Sequence, residues 1–189
     1  MTFSDIPPDR LLSIARDYWP VSKEEDPDIK YKDLTDLWDQ QLKKHDQWHA
    51  FLRELRKDLP GFSFGDATAT PDASCRCTVY SPIPYSADVE HFIVVGCKSI
   101  LAPVYTVYGV EFKILNNRRQ DDKVFLASLP AYMQHVADVV ARKLEATFDV
   151  KALPRGVADT PVPLYIEPVE PPHTTLFHAL FTSQPESLP

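Results

Sequence analysis

Apolar side chains recur at helical spacing in separate stretches of this chain, and at strand spacing between them. In IPPDRLLSIARDYWP the residues Leu11, Leu12, Ile14, Ala15 and Tyr18 form one stripe. Pro7 and Pro8 suit a first turn, Asp9 suits the positive end of a helix dipole, and Pro20 lies beyond the end, so a short helix is predicted. The following VSKEEDPDIKYK is charged, contains Pro27 and has no apolar period, which predicts an exposed connection. From Asp33 to Leu59 the 3.6-residue period runs through Leu34, Leu37, Trp38, Gln41, His45, Trp48, Leu52, Leu55 and Leu59. One long amphipathic helix is expected, closed by Pro60-Gly61 and carrying Asp36, Asp39, Lys43, Asp46 and Glu54 on its other face.

After a loop, SCRCTVY alternates, with Cys75, Cys77 and Val79 on one face and Arg76, Thr78 and Tyr80 on the other, as in a strand with one buried side. SPIPYSADVE interrupts the pattern. HFIVVGCKSI and APVYTVYGVEFKIL are rich in β-branched and aromatic residues and predict central strands of an antiparallel sheet. NNRRQDD reads as a polar turn and KVFLASL as a returning strand. A second amphipathic helix is predicted from about Ala131 to Phe148, with Met133, Val136, Ala137, Val140, Leu144 and Phe148 on its apolar face.

Helices, then strands, then a helix argue for an α+β fold: a largely antiparallel sheet covered by two long amphipathic helices. A doubly wound parallel fold would need the two kinds of element to alternate. The last 40 residues hold eight of the 18 prolines, yet keep Leu164, Tyr165, Ile166, Leu176, Phe177, Leu180 and Phe181, too many apolar groups for a disordered tail. VPLYI is expected as a short edge strand and TTLFHALF as a final short helix. The chain is therefore read as one domain over residues 1–189: a helical part at 1–60, a sheet at 61–130, a helix at 131–150, and a proline-rich but ordered segment at 151–189 packed on the domain.

Composition adds constraints on partners. With 44% hydrophobic and 25% charged residues the chain is ordinary for a globular domain, while 18 Pro against 5 Gly marks frequent breaks. A net charge of −7 repels nucleic-acid phosphates and anionic lipid and favours a basic partner, so neither nucleic acid nor membrane is expected to bind. MTFSDIPPDR has no basic stretch leading into an apolar one, and the three cysteines give an odd count, so reduced thiols and a cytoplasmic location are expected.

Candidate chemistry is sparse. His45-Asp46-Gln47-Trp48-His49 resembles the HExxH helix motif of zinc metallopeptidases, with Asp in place of Glu. Histidines four apart share a helical face and can reach one zinc ion. Asp, however, is a methylene shorter and would hold an attacking water differently. No third ligand is legible either, since His173 and His178 lie five apart in the tail without geometric support. A part-buried His45 beside an exposed His49 accounts for the pattern, and no stoichiometric zinc is expected. Cys75-Arg76-Cys77 could lower a thiolate pKa, but both thiols of such a strand point toward the core; Cys97 follows Gly96 without the pattern of a nucleophile elbow. Neither GxGxxG nor GxxxxGK[ST] occurs, and Glu24/Glu25 and Asp121/Asp122 fall in polar connections as solvated charge. The expectation is a non-catalytic chain with no cofactor and no metal.

An acidic, one-domain α+β chain with the helix DLTDLWDQQLKKHDQWHAFLREL and the terminal TTLFHALFT resembles, in type, the immunity proteins that neutralise bacterial toxins of the bacteriocin and polymorphic-secretion kind. That resemblance implies tight binding to a cognate toxin through complementary charge and buried aromatic anchors. Counted at 100° per residue along one helix, Asp36, Asp39 and Asp46 share an arc opposite Leu34, Trp48 and Leu52, and they are the expected partner-binding residues. Two other classes stay open: a zinc-dependent hydrolase using His45 and His49, and a secretion chaperone or scaffold subunit that grips an extended segment of its client.

Overall fold

The computed structural model describes residues 6–82, 91–115 and 118–189. In chain order these form α1 (Pro8–Arg16), α2 (Pro27–Leu42), α3 (His45–Asp58), β1 (Ser63–Asp66), β2 (Ser74–Tyr80), β3 (His91–Ser99), β4 (Val104–Leu115), β5 (Arg118–Phe125), α4 (Ala131–Phe148), β6 (Lys151–Ala152), α5 (Arg155–Ala158) and α6 (Leu176–Leu180). Strands β1 to β5 pair in sequence order, each antiparallel to the last, and β6 adds in parallel to the first residues of β4. The fold is α+β, with a mostly antiparallel mixed sheet and helices packed on it. Among the described residues no helix is long and apolar enough to cross a membrane.

Strand alternation decides what each face of the sheet meets. Cys75, Cys77 and Val79 share a face with Gly96 and Gly109, and α4 lies on that face. The glycines set how close it comes. A Cβ added at Gly96 would stand 2.6 Å from Val140 Cγ1 and 3.0 Å from Cys77 Sγ, and one added at Gly109 would stand 2.4 Å from Met133 Sδ. Beside α4 runs α3, whose Trp48 and Phe51 rings lie 5.8 and 5.4 Å from that of Phe148.

The opposite face is covered as well, which corrects the expectation of one buried side for β2: Ser74, Arg76 and Thr78 are as buried as the cysteines between them. The cover is the C-terminal segment. Ser74 Oγ donates to the Phe181 carbonyl at 2.9 Å, Tyr108 Oη donates to the Pro185 carbonyl at 3.0 Å, and the Tyr108 ring meets Phe177 edge-on at 6.0 Å. Leu164, Ile166, Leu176, Phe177, Leu180 and Phe181 are buried, and α1 closes over α6, with Trp19 Nε1 donating to the Ala179 carbonyl at 2.8 Å. VPLYI makes no strand; isolated bridges Pro161↔Thr175 and Ile166↔Val169 stand in its place. Prolines lack the N–H that a ladder needs, so this segment covers the sheet with side chains instead.

The single helix predicted over 33–59 is two helices, α2 and α3, separated at Lys43-Lys44. A straight helix would hold Trp38 and Trp48 about 80° apart around its axis. Both indoles are buried, one donating to the Asp72 carbonyl at 2.9 Å and the other to Asp66 Oδ2 at 3.2 Å, so each of the two helices carries one anchoring tryptophan. In the other direction α2 extends back to Pro27, into the stretch expected as a connection, and Lys30 Nζ donates to the Arg16 carbonyl at 2.9 Å, satisfying an end group of α1. SFGD supplies an edge strand, β1, where a loop was expected, and β5 begins inside the presumed polar turn. Most of SPIPYSADVE, with Asn116 and Asn117, lies outside the described residues.

Candidate functional site

Two of the sequence candidates meet at the first turn of α3. The chain leaves α3 through Gly61, whose φ of +90° suits a residue without a Cβ, and returns as β1 along the same helix. The last residue of that strand, Asp66, therefore arrives at the helix start. His45, one turn before His49, places Nε2 3.8 Å from Asp66 Oδ2, and the two imidazole rings lie edge to face at 4.2 Å. One donor atom from each of His45, His49 and Asp66 falls within 4.8 Å of the others. The carboxylate is fixed from behind: Trp48 Nε1 donates to Oδ2 at 3.2 Å and the Thr68 amide donates to Oδ1 at 3.1 Å. The sequence offered no third ligand for the histidine pair, because Asp66 lies in another element and only the turn at Gly61 brings it back.

The three aspartates expected to bind a partner divide between two helices. Asp36 and Asp39 are exposed on α2, and Asp46 is exposed in the first turn of α3, where a carboxylate also complements the positive end of the helix dipole. Counting 100° per residue cannot carry across the break, so the common arc for all three is corrected to one for Asp36 and Asp39 alone. Around them α2 exposes Asp33, Ile29 and Leu42, while Leu34 and Trp38 are buried.

The thiols are enclosed. Burial pushes Cys75 up to about 11 and Cys77 up to about 12, and raises Cys97 as well. Arg76, between the first two, faces the other way, into the C-terminal layer, where it pairs with Asp72 at 3.1 Å and donates from Nε to the Ala67 carbonyl at 3.1 Å. Lys98, its ammonium 5.4 Å from the Phe148 ring centre, is lowered from its ordinary pKa, chiefly by burial. The gap it borders with Trp38, Trp48 and Cys75 holds about 40 Å³, room for little more than water.

Of the tail histidines, His173 is exposed and His178 works inside α6, its Nδ1 accepting the Thr175 amide at 3.0 Å. A separate cleft of about 360 Å³ is walled by Ile6, Pro7, Pro103, Val104, Leu153 and Val157, with Asp149 and Lys151 as its charged residues. Its walls are apolar and bring no nucleophile and base together. No family model, no curated protein and no solved structure matches this chain.

Proposed function

We propose that this chain is a non-catalytic protein-binding domain of the immunity-protein type, which binds and neutralises a more basic bacterial toxin through the exposed face of α2. One observation carries the reading. Leu34 and Trp38 anchor α2, while Ile29 stands 62% exposed among exposed acids. At 100° per residue Ile29 lies about 20° to one side of Asp36 and Asp39 about 60° to the other, so an apolar side chain stands beside acidic ones on one exposed arc of α2. Binding surfaces are built this way, with an apolar centre that is desolvated and charges at the edge that steer encounter. The net charge of −7 adds long-range attraction for a cationic partner.

Affinity capture with the tagged chain, followed by mass spectrometry, identifies the partner, and surface plasmon resonance across an ionic-strength series then tests the face. Asp36→Asn with Asp39→Asn should lower the association rate roughly tenfold at low salt and flatten its salt dependence. Ile29→Ala should act on dissociation instead, raising it by roughly tenfold. Unchanged kinetics in both variants would place the interface elsewhere.

A further inference from the structure

The first turn of α3 and the end of β1 hold more donors than a surface ion pair uses. We infer that His45, His49 and Asp66 form a binding site for a divalent transition-metal ion of the zinc type. An ion pair between a protonated His45 and Asp66 accounts for one approach, the 3.8 Å between Nε2 and Oδ2. It does not use the third donor, on His49, although all three donor atoms lie within 4.8 Å of one another. A shared cation uses all of them.

The set selects its metal by chemistry. Two imidazoles and one carboxylate suit zinc and its neighbours, whereas calcium and magnesium take oxygen ligands. Around zinc, bonds of roughly 2.0–2.2 Å put tetrahedral ligand atoms about 3.3–3.6 Å apart. The observed spread closes to that by small side-chain rotations, which the position allows: the His45 and Asp66 side chains are 27% and 28% exposed, and His49 is exposed. Asp66 needs the least adjustment, because the Trp48 indole and the Thr68 amide already orient its two oxygens. Ligating carboxylates are held by outer hydrogen bonds of this kind. Three protein ligands leave at least one coordination position for water or for a side chain of a bound partner. The inference does not rest on the protein-binding reading, and metal alone reads it out.

The test is calorimetric titration of the chelator-treated full chain with zinc chloride, beside His49→Gln and Asp66→Asn, with cobalt(II) absorption as a second signal. The wild-type chain should bind one zinc, and each variant should lose more than the roughly 10–100-fold in affinity that loss of an outer-shell partner alone costs. Cobalt should show a ligand-field spectrum in the wild type that disappears in His49→Gln. His49 is exposed, so that variant keeps its fold, to be checked by circular dichroism, and its result decides even where Asp66→Asn is destabilised. Absence of stoichiometric zinc in the wild type, or equal affinity in His49→Gln, would overturn the site. A folded Asp66→Asn variant that binds as tightly as wild type would remove Asp66 from the ligand set and overturn the inference as stated.

Discussion

Arg76 and Asp72 meet at 3.1 Å with side chains only 6% and 13% exposed, an ion pair sealed between the sheet and the C-terminal segment. Burial raises the Asp72 carboxyl above its ordinary range, more than Arg76, Thr182 and the Ser183 amide together pull it down. The direction of that shift and the presence of a close partner point opposite ways, and both hold: the desolvation of the pair outweighs its attraction. Such a pair adds little net stability, yet breaking it strands a charge. Asp72→Ala should cost roughly 3–5 kcal/mol, and adding Arg76→Met should restore most of that loss. Urea unfolding of both variants measures it; a single variant within about 1 kcal/mol of wild type would show that Arg76 finds water.

His178 makes stability depend on pH. Burial, reinforced by Arg155, lowers its imidazole below the ordinary 6.5, and its Nδ1 accepts the Thr175 amide, which a protonated ring cannot do. The unfolded chain therefore takes up this proton first. The contribution of His178 is complete above about pH 6.5 and is lost as pH falls through that value toward the lower folded one. Urea midpoints for wild type and His178→Gln should diverge least at low pH, with the shallower slope in the variant. Parallel slopes would contradict the assignment.

Gly96 is a contact and not a hinge. Alanine there would press on Val140 and Cys77, so Gly96→Ala should destabilise by about 1–3 kcal/mol. Gly156, where an added Cβ meets nothing within 4 Å, serves as the control, and Gly156→Ala in α5 should be neutral or stabilising by up to about 1 kcal/mol. Thermal or urea unfolding compares them directly.

The three thiols should react as core groups. With Cys75 raised to about 11 and Cys77 to about 12 by burial, thiolate is scarce and access is closed. Ellman's reagent should label Cys75, Cys77 and Cys97 at the rate of unfolding and accelerate sharply in denaturant. One thiol titrating at once in the native protein would mark a reactive site.

What the sequence determined is what periodicity can report. Alternation located β2, and β-branched, aromatic-rich runs located β3 and β4; the 3.6-residue stripe of Met133, Val136, Ala137, Val140, Leu144 and Phe148 located α4, and all of these are buried except Phe148, which is half-buried against Trp48 and Phe51 of α3. The proline pair before Arg10 located α1. Periodicity cannot report an interruption between two helices of the same period, which read as one; only the non-helical backbone of Lys44, at φ −105° and ψ 13°, shows that the chain breaks after Leu42. Nor can it tell which strand has a second cover. Arg76 and Thr78 read as solvent-facing until residues more than 100 positions away, Phe181 and Thr182, close over β2. The candidate metal site divides the same way: the spacing of His45 and His49 is written in the sequence, but Asp66 joins them only through the reversal at Gly61, since a ligand set is defined by distances in space and the chain between its members carries no trace of them.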